Sequence, residues 1–169
     1  DLIIVDNDGN ILEGNGKIST ESKLHLFAYK HRKDINAVIH AHPVYATAFA
    51  AMGEDFTKPI FPEVVLTLGK VHLCKYATPS TNEVTESIKP YIEYANALLL
   101  ENHGAVTFGK NLEDAFNKME KLEHTAKTIS IIRSMGKENL IPLNKLSELY
   151  EIGENVYKLN IDKRNRMDI

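Results

Sequence analysis

The sequence predicts an α/β fold in which helices pack against a sheet of mixed or antiparallel order. Three observations support this prediction. Apolar segments with strand periodicity alternate along the chain with segments of helical periodicity. Several connections between successive strands are too short to hold the crossover that a doubly wound parallel sheet needs. The chain also contains no repeat, low-complexity stretch or linker, so residues 1–169 are interpreted as one domain.

Composition restricts the classes of function. The 169 residues suffice for one compact domain, and 43% are hydrophobic and 25% charged, as in ordinary globular proteins. A formal net charge of -3 argues against nucleic acid or an anionic membrane as partner, because both attract basic surfaces. The single cysteine excludes an intrachain disulfide and fits a reducing compartment. Neither a signal peptide nor an apolar run of about 20 residues is present, so we expect a cytoplasmic protein.

The first elements follow from short apolar runs and their turn residues. Residues 2–5 form an apolar run that predicts a strand, and the Asp-Asn-Asp-Gly-Asn sequence after it predicts a turn. Ser19 or Thr20 can cap a helix over residues 21–32. Because the chain enters its first strand directly after Asp1, we expect that a preceding segment is missing from this sequence.

The middle of the chain alternates between strands and helices. Residues 37–42 predict a buried strand, and Pro43 starts a helix that ends at Gly53. Two further short strands are predicted at 63–67 and 71–76, where apolar residues flank Gly69.

The second half contains the clearest helix signals. Residues 80–83, Ser-Thr-Asn-Glu, form a capping box that opens a helix toward Tyr91. A single strand is predicted over 97–108. Asn111 caps the longest helix, with Asp114 at its third position, and a last helix over 146–159 is expected to bend near a glycine.

Three histidines predict a metal site. His40 and His42 are two residues apart on a predicted strand, so their side chains point to the same face and can chelate one ion. His103 lies at the polar end of another apolar strand. Three imidazoles with an open fourth position are typical of catalytic zinc. An isolated His-x-His pair is more often a surface or hydrogen-bonded pair than a ligand, and distance in sequence does not establish closeness in space.

Glu21 admits two interpretations. As a local feature it is an acidic residue in the first turn of a helix, where a carboxylate is favourable. As a functional feature it follows Ser19 and Thr20 at a helix N-terminus, which can bind phosphate through free backbone N–H groups. A glutamate there could act as a base near the metal.

These segments together resemble the class II aldolase/adducin family, and within it most closely the bacterial L-fuculose-phosphate aldolases. The similarity is carried by residues 17–21 (Lys-Ile-Ser-Thr-Glu), 40–43 (His-Ala-His-Pro) and 100–104 (Leu-Glu-Asn-His-Gly), in the family's order and spacing. It extends from the first strand to about Met135. The resemblance implies a three-layer α/β/α domain with a mostly antiparallel central sheet, assembled as a homotetramer with active sites between subunits.

The resemblance also assigns roles to individual residues. It makes His40, His42 and His103 the ligands of one Zn²⁺ per subunit. It makes Glu21 the catalytic acid/base and a possible fourth ligand when substrate is absent, and Ser19 and Thr20 phosphate-binding residues. The implied reaction is reversible cleavage of L-fuculose 1-phosphate, or a similar phosphorylated ketose, to dihydroxyacetone phosphate and an aldehyde such as L-lactaldehyde.

The sequence departs from the family pattern in two places. Family members carry further phosphate-binding residues in a segment before the first strand, which is absent here. The best-described aldolases also use two tyrosines as proton donors; the corresponding loop here contains Glu63 and no tyrosine, while Tyr157 is a candidate for the second. Glu63 is equally well interpreted as a strand-edge carboxylate, whereas Tyr157 is better interpreted as a packing residue of an amphipathic helix. His25 and His72 are interpreted as structural histidines.

Two other functions stay open at the level of sequence. The missing loop tyrosine allows an L-ribulose-5-phosphate 4-epimerase, which shares the metal triad and retains the aldehyde. A non-catalytic scaffold of the adducin type is disfavoured because the three histidines and Glu21 are all present.

Overall fold

The computed structural model describes residues 2–168, and two sheets and six helices make up its framework. The strands are β1 (Ile4–Val5), β2 (Ile11–Glu13), β3 (Ala37–Ala41), β4 (His72–Cys74), β5 (Ala97–Leu100) and β6 (Gly104–Gly109). The helices are α1 (Ser22–His31), α2 (Val44–Ala51), α3 (Pro62–Thr67), α4 (Glu83–Ile88), α5 (Leu112–Met135) and α6 (Leu143–Asn155), followed by a 3₁₀ turn at Lys163–Asn165. Within the described residues, none of the helices has the length and apolar character needed to cross a membrane.

The central sheet has four strands in the order β3-β6-β5-β4. The β3–β6 and β5–β6 pairs are antiparallel, whereas β4 pairs with β5 in parallel. The predicted α/β fold with a mostly antiparallel sheet is therefore confirmed, and the sheet is mixed rather than purely antiparallel. Strands β1 and β2 form a separate antiparallel hairpin.

Alternation along the strands divides the core into two clusters, one on each face of the sheet. Leu98, Leu100, Val106 and Phe108 belong to the cluster that includes buried residues of α1 and α4. The side chains between them face the cluster formed by α2, α3, α5 and α6. This two-sided burial produces the three α/β/α layers.

Two strand predictions are wrong. Residues 63–67 lie in α3, which has Pro62 in its first turn and buries its valines and leucine against α6 and the sheet. A short apolar run fits a buried helix as well as a strand, and the proline favours the helix. Residues 97–108 form the β5–β6 hairpin rather than one strand, because Asn102 takes a positive φ of 56° and reverses the chain.

The other predicted helices are present, but the capping box predicted at residues 80–83 is wrong. Helix α4 begins at Glu83 with Asn82 as its N-cap and no side-chain cap, because the Glu83 carboxylate accepts from the Thr78 N–H instead. The side chain of Asn111 accepts a hydrogen bond from the Asp114 N–H at 2.8 Å, as the cap prediction requires. Helix α6 continues through Gly153 without the expected break, and that glycine provides room for Leu66. Helix α1 has Glu21, not Ser19 or Thr20, at its N-cap, and no side chain caps it.

Candidate metal centre

The antiparallel pairing of β3 with β6 brings the three predicted ligands to one end of the sheet. His40 lies opposite Val106 and Ala41 opposite Ala105, so the end of β3 meets the beginning of β6. His103 occupies the turn that connects β5 to β6. Distant segments of the sequence thus meet where β3 ends, which spacing alone could not establish.

The three imidazoles form a compact cluster. Their ring centroids are 5.0 Å apart for His40 and His42, 4.8 Å for His40 and His103, and 4.9 Å for the remaining pair. One ligand nitrogen from each ring lies within 4.8 Å of the others. Nitrogens that each bind one Zn²⁺ at about 2.0–2.1 Å must lie within roughly 4 Å of one another, so small side-chain shifts suffice to place a divalent metal between them.

Gly104 allows this close approach. A Cβ atom at this position would lie 2.5 Å from Cδ2 of His42 and 2.6 Å from the carbonyl oxygen of Ala41. The Asn-His-Gly sequence therefore combines a residue that tolerates positive φ, a ligand, and a glycine that leaves space for the opposite ligand.

His40 has the protonation and hydrogen bonding of a metal ligand. Its Nδ1–H donates to the carbonyl oxygen of Ala105 at 3.0 Å, which fixes the tautomer and leaves the Nε2 lone pair free. That Nε2 is buried, and among residues 2–168 it has no hydrogen-bond partner. Burial lowers the pKa of His40 below its usual 6.5, the Ala105 bond opposes this shift, and His103 lowers the pKa further. A buried, neutral nitrogen without a partner fits a metal ion.

Glu21 lies beside the histidine cluster. Its Oε2 is 3.8 Å from Nε2 of His40, and 24% of its side chain is exposed. Because His40 is neutral at pH 7, this contact is not an ion pair. The Glu21 N–H donates to Oγ of Ser19 at 3.3 Å, which places the Ser-Thr-Glu segment at the start of α1. Thr20 is exposed in the same turn.

A cavity of 440 Å³ adjoins this carboxylate. Ser19, Glu21, His25 and His40 contribute its polar lining, and the rest is largely apolar: Ile3, Val5, Ile18, Leu26 and Tyr29, with Ser22. Burial and the neighbouring His40 lower the pKa of His25, whereas Glu21 raises it. The proximity of His25 to the site was missed from the sequence, although its position four residues after Glu21 places both on one face of a helix.

The structure does not bring Glu63 and Tyr157 to this cavity. Glu63 lines a separate cleft of 640 Å³ between α3 and α5, together with Phe61 and His124, and this cleft shares no lining residue with the cavity at Glu21. Tyr157 follows α6 and is 61% exposed. Both acid/base assignments stay predictions.

Known proteins resemble this chain over most of its length. The family model described as the class II aldolase and adducin N-terminal domain matches residues 1–130. An L-fuculose phosphate aldolase of Methanococcus maripaludis is 33% identical over 137 residues, which cover 81% of this chain and 73% of the relative. A solved structure of an L-fuculose 1-phosphate aldolase superposes with a TM-score of 0.79 at 32% identity, covering 88% of this chain and 70% of that one.

Other relatives carry different activities. A 5-deoxy-D-ribulose 1-phosphate aldolase of Bacillus thuringiensis serovar kurstaki is 31% identical over 150 residues, which cover 88% of this chain and 70% of the relative. A 3-oxo-tetronate 4-phosphate decarboxylase of Pectobacterium atrosepticum is 38% identical over 120 residues, covering 69% of this chain and 55% of the relative.

Proposed function

Because the chain belongs to the class II aldolase and adducin family and is a lyase of the class II aldolase type, we propose that it is a zinc-dependent ketose-phosphate aldolase. The proposed substrate is L-fuculose 1-phosphate or a similar phosphorylated ketose. The products are then dihydroxyacetone phosphate and an aldehyde such as L-lactaldehyde.

One observation carries the proposal: the ligand nitrogens of His40, His42 and His103 lie within 4.8 Å of one another beside Glu21. Three imidazoles leave a coordination position free for substrate, and a neutral ligand set leaves the charge of the ion undiminished. A zinc ion held there would supply a Lewis acid for the carbonyl oxygen of the ketose.

The chain's own residues account for binding and one proton transfer. In cleavage the C3–C4 bond breaks, the C4 hydroxyl loses its proton as C4 becomes the aldehyde carbon, and C3 gains a proton. We assign the proton at C3 to the carboxyl group of Glu21 and phosphate binding to Ser19 and Thr20 at the start of α1. Glu63 and Tyr157 are the candidates for the group that takes the C4 hydroxyl proton.

A decarboxylase is the second candidate, favoured by the decarboxylase relative at 38% identity. Decarboxylation of a 3-oxo acid leaves the same kind of electron pair beside a carbonyl group. A Lewis acid on that carbonyl oxygen would therefore stabilise the charge in both reactions, but decarboxylation releases no aldehyde. The epimerase alternative would use the same stabilisation and differs in retaining both fragments.

The decisive experiment compares substrates in parallel with zinc-loaded protein. L-Fuculose 1-phosphate and 5-deoxy-D-ribulose 1-phosphate are assayed for dihydroxyacetone phosphate, L-ribulose 5-phosphate for xylulose 5-phosphate, and 3-oxo-tetronate 4-phosphate for carbon dioxide. We expect dihydroxyacetone phosphate from one of the first two at the highest kcat/KM. Carbon dioxide or xylulose 5-phosphate as the dominant product would replace the aldolase with the corresponding alternative.

We also propose a homotetramer in the cytoplasm, with active sites between subunits. The exposed position of Tyr157 supports this arrangement, because the tyrosine could then serve the site of a neighbouring subunit. Sedimentation velocity of the purified protein measures the assembly directly.

A further inference from the structure

Glu123 connects the longest helix to the segment that carries His42. Its Oε1 accepts a hydrogen bond from the Tyr45 N–H at 2.9 Å, and its Oε2 accepts one from the Ala46 N–H at 2.8 Å. Both donors belong to the first turn of α2, and Glu123 lies near the middle of α5. One carboxylate therefore caps a helix whose second residue, Tyr45, lies 78 residues earlier in the sequence.

Helix α2 depends on this carboxylate for its N-terminal hydrogen bonds. Its N-cap is Pro43, whose ring can accept no hydrogen bond. The first N–H groups of any helix need acceptors from outside it, and a negative charge there also interacts favourably with the helix dipole. Glu123 supplies the acceptors and the charge together.

The capped turn is closely coupled to His42. Only Pro43 and Val44 separate His42 from Tyr45, and the proline ring holds its own φ at -67°. His40 lies on the α1 side of the sheet, where its Nε2 is 3.8 Å from Oε2 of Glu21. His42 follows the end of β3, and its ring lies 5.0 Å from the His40 ring on the same side. Helix α2 instead packs in the α5 layer. Directly after His42 the chain therefore passes from the α1 side of the sheet to the α5 side. Glu123 holds the first turn of α2 at this point.

Helix α5 is itself anchored to the strand that carries the rest of the site. The hydroxyl group of Thr107 in β6 donates to the carbonyl oxygen of Ala115 in α5 at 2.8 Å, and both residues are fully buried. The same strand begins at Gly104, against which the His42 ring packs. Strand β6, which approaches His42 at Gly104, is therefore joined to α5, which binds the first turn of the helix that follows His42.

We propose that Glu123 is a positioning residue that holds the beginning of α2, and with it His42, where ligation of the metal requires it. This inference rests on the proposed function only for the assignment of His42 as a ligand. Partners that orient metal ligands without touching the metal typically change metal affinity by about 10–100-fold when removed.

The test measures Zn²⁺ affinity of the full chain by competition with a chromophoric chelator. Glu123→Ala is expected to weaken binding about 10-fold, at the lower end of that range. Glu123→Gln keeps one acceptor oxygen and is expected to lose roughly 3-fold, since neutral acceptors make weaker bonds than carboxylates. Glu113→Ala is the control: it removes an exposed carboxylate from the first turn of the same helix and should leave affinity unchanged.

A double-mutant comparison separates positioning from general destabilisation. In a His42→Ala background, the residual affinity from His40 and His103 should not fall further when Glu123→Ala is added. An equal loss in both backgrounds, or a lower melting temperature with unchanged affinity in the single variant, would mean that the cap serves folding alone. Either result overturns the proposal.

The experiments distinguish failure of the positioning role of Glu123 from failure of the proposed aldolase activity. If Glu123→Ala weakens zinc binding but the wild type converts none of the sugar phosphates, the aldolase assignment fails and the positioning role stands. If the wild type cleaves substrate and Glu123→Ala binds zinc equally well, only the positioning role fails. A wild-type protein without zinc affinity would overturn both.

Discussion

At the scale of single residues, the proposed function assigns metal binding to three imidazoles and proton transfer to a carboxyl group beside them. An imidazole binds a metal only through an unprotonated nitrogen, and burial keeps His40 in that form. A carboxylate that ligated the metal permanently would lose basicity and block the position that substrate needs. In the proposed function Glu21 leaves the ion when substrate binds and then acts as the base, and its position beside the cluster, 3.8 Å from Nε2 of His40, supports this role.

This separation predicts different phenotypes for two substitutions. Glu21→Gln should retain zinc and lose about 10²–10⁴-fold in kcat, the usual contribution of a positioned acid or base. His42→Ala should be purified without bound zinc and keep only the weak residual affinity of His40 and His103, because two ligands hold the ion far less tightly than three. Metal content by atomic absorption and kcat on the best substrate of the panel measure both effects. Near-normal turnover by Glu21→Gln would remove Glu21 from the proton transfer.

At the scale of elements, the site depends on the turn between β5 and β6. The turn reverses the chain within three residues, so that His103 is presented beside the end of β3. Asn102 adopts the left-handed conformation that the reversal requires, and Gly104 leaves the space that His42 fills. The backbone conformation of this turn therefore determines where the imidazole of His103 lies relative to those of His40 and His42.

Gly104→Ala should therefore weaken zinc binding without removing a ligand. The added methyl group would meet Cδ2 of His42 at 2.5 Å and the backbone oxygen of Ala41 at 2.6 Å, and the backbone atom cannot yield as a flexible side chain could. We expect at least a 10-fold loss of zinc affinity together with about 1–3 kcal/mol of destabilisation, the usual cost of overpacking. Chelator competition and urea denaturation measure the two effects. Gly136→Ala is the control, because a Cβ there meets no atom within 4 Å among the described residues.

The sequence predicted which histidines lie together better than it predicted the elements that present them. The spacing of His40 and His42 is local information, since alternation on a strand follows from backbone geometry. The turn before Gly104 was missed because apolar residues continue on both sides of it. The helix at 62–67 was missed because six apolar-rich residues do not distinguish a buried strand from a buried helix.

At the scale of the whole molecule, the site draws on both layers of helices. Glu21 comes from the α1 layer, the histidines from the end of the sheet, and the cap of α2 from α5 in the opposite layer. The layers could be predicted from periodicity and family resemblance. The role of Glu123 could not, because its partners lie 77 and 78 residues away and no local pattern marks such a contact.

Histidines distributed over the molecule make its stability sensitive to mild acid. Burial is the main cause that lowers the pKa values of His25, His40 and His72 below the ordinary 6.5. Below about pH 6.5 the histidines therefore bind more protons in the unfolded chain than in the folded chain. The free energy of unfolding consequently decreases as the pH falls through 6.5. Carboxylates with lowered pKa values, such as Asp34, lose their contribution only as the pH falls through 3.8. Between pH 7.5 and 5 the histidines therefore cause most of the change in the free energy of unfolding.

Metal-free protein, kept in chelator, should accordingly unfold at a lower urea concentration at pH 5 than at pH 7.5. His72→Phe should reduce this difference, because it removes one titrating group outside the histidine cluster while a ring remains to stack on Tyr91, whose centroid lies 4.5 Å away. Nε2 of His72 is buried and has no hydrogen-bond partner among residues 2–168, so the substitution sacrifices no bond at that atom. The test measures the urea midpoints of the metal-free wild type and of His72→Phe at pH 5 and pH 7.5. A midpoint independent of pH would show that buried histidines do not set the acid sensitivity, and the same decrease in His72→Phe would exclude His72 as a contributor.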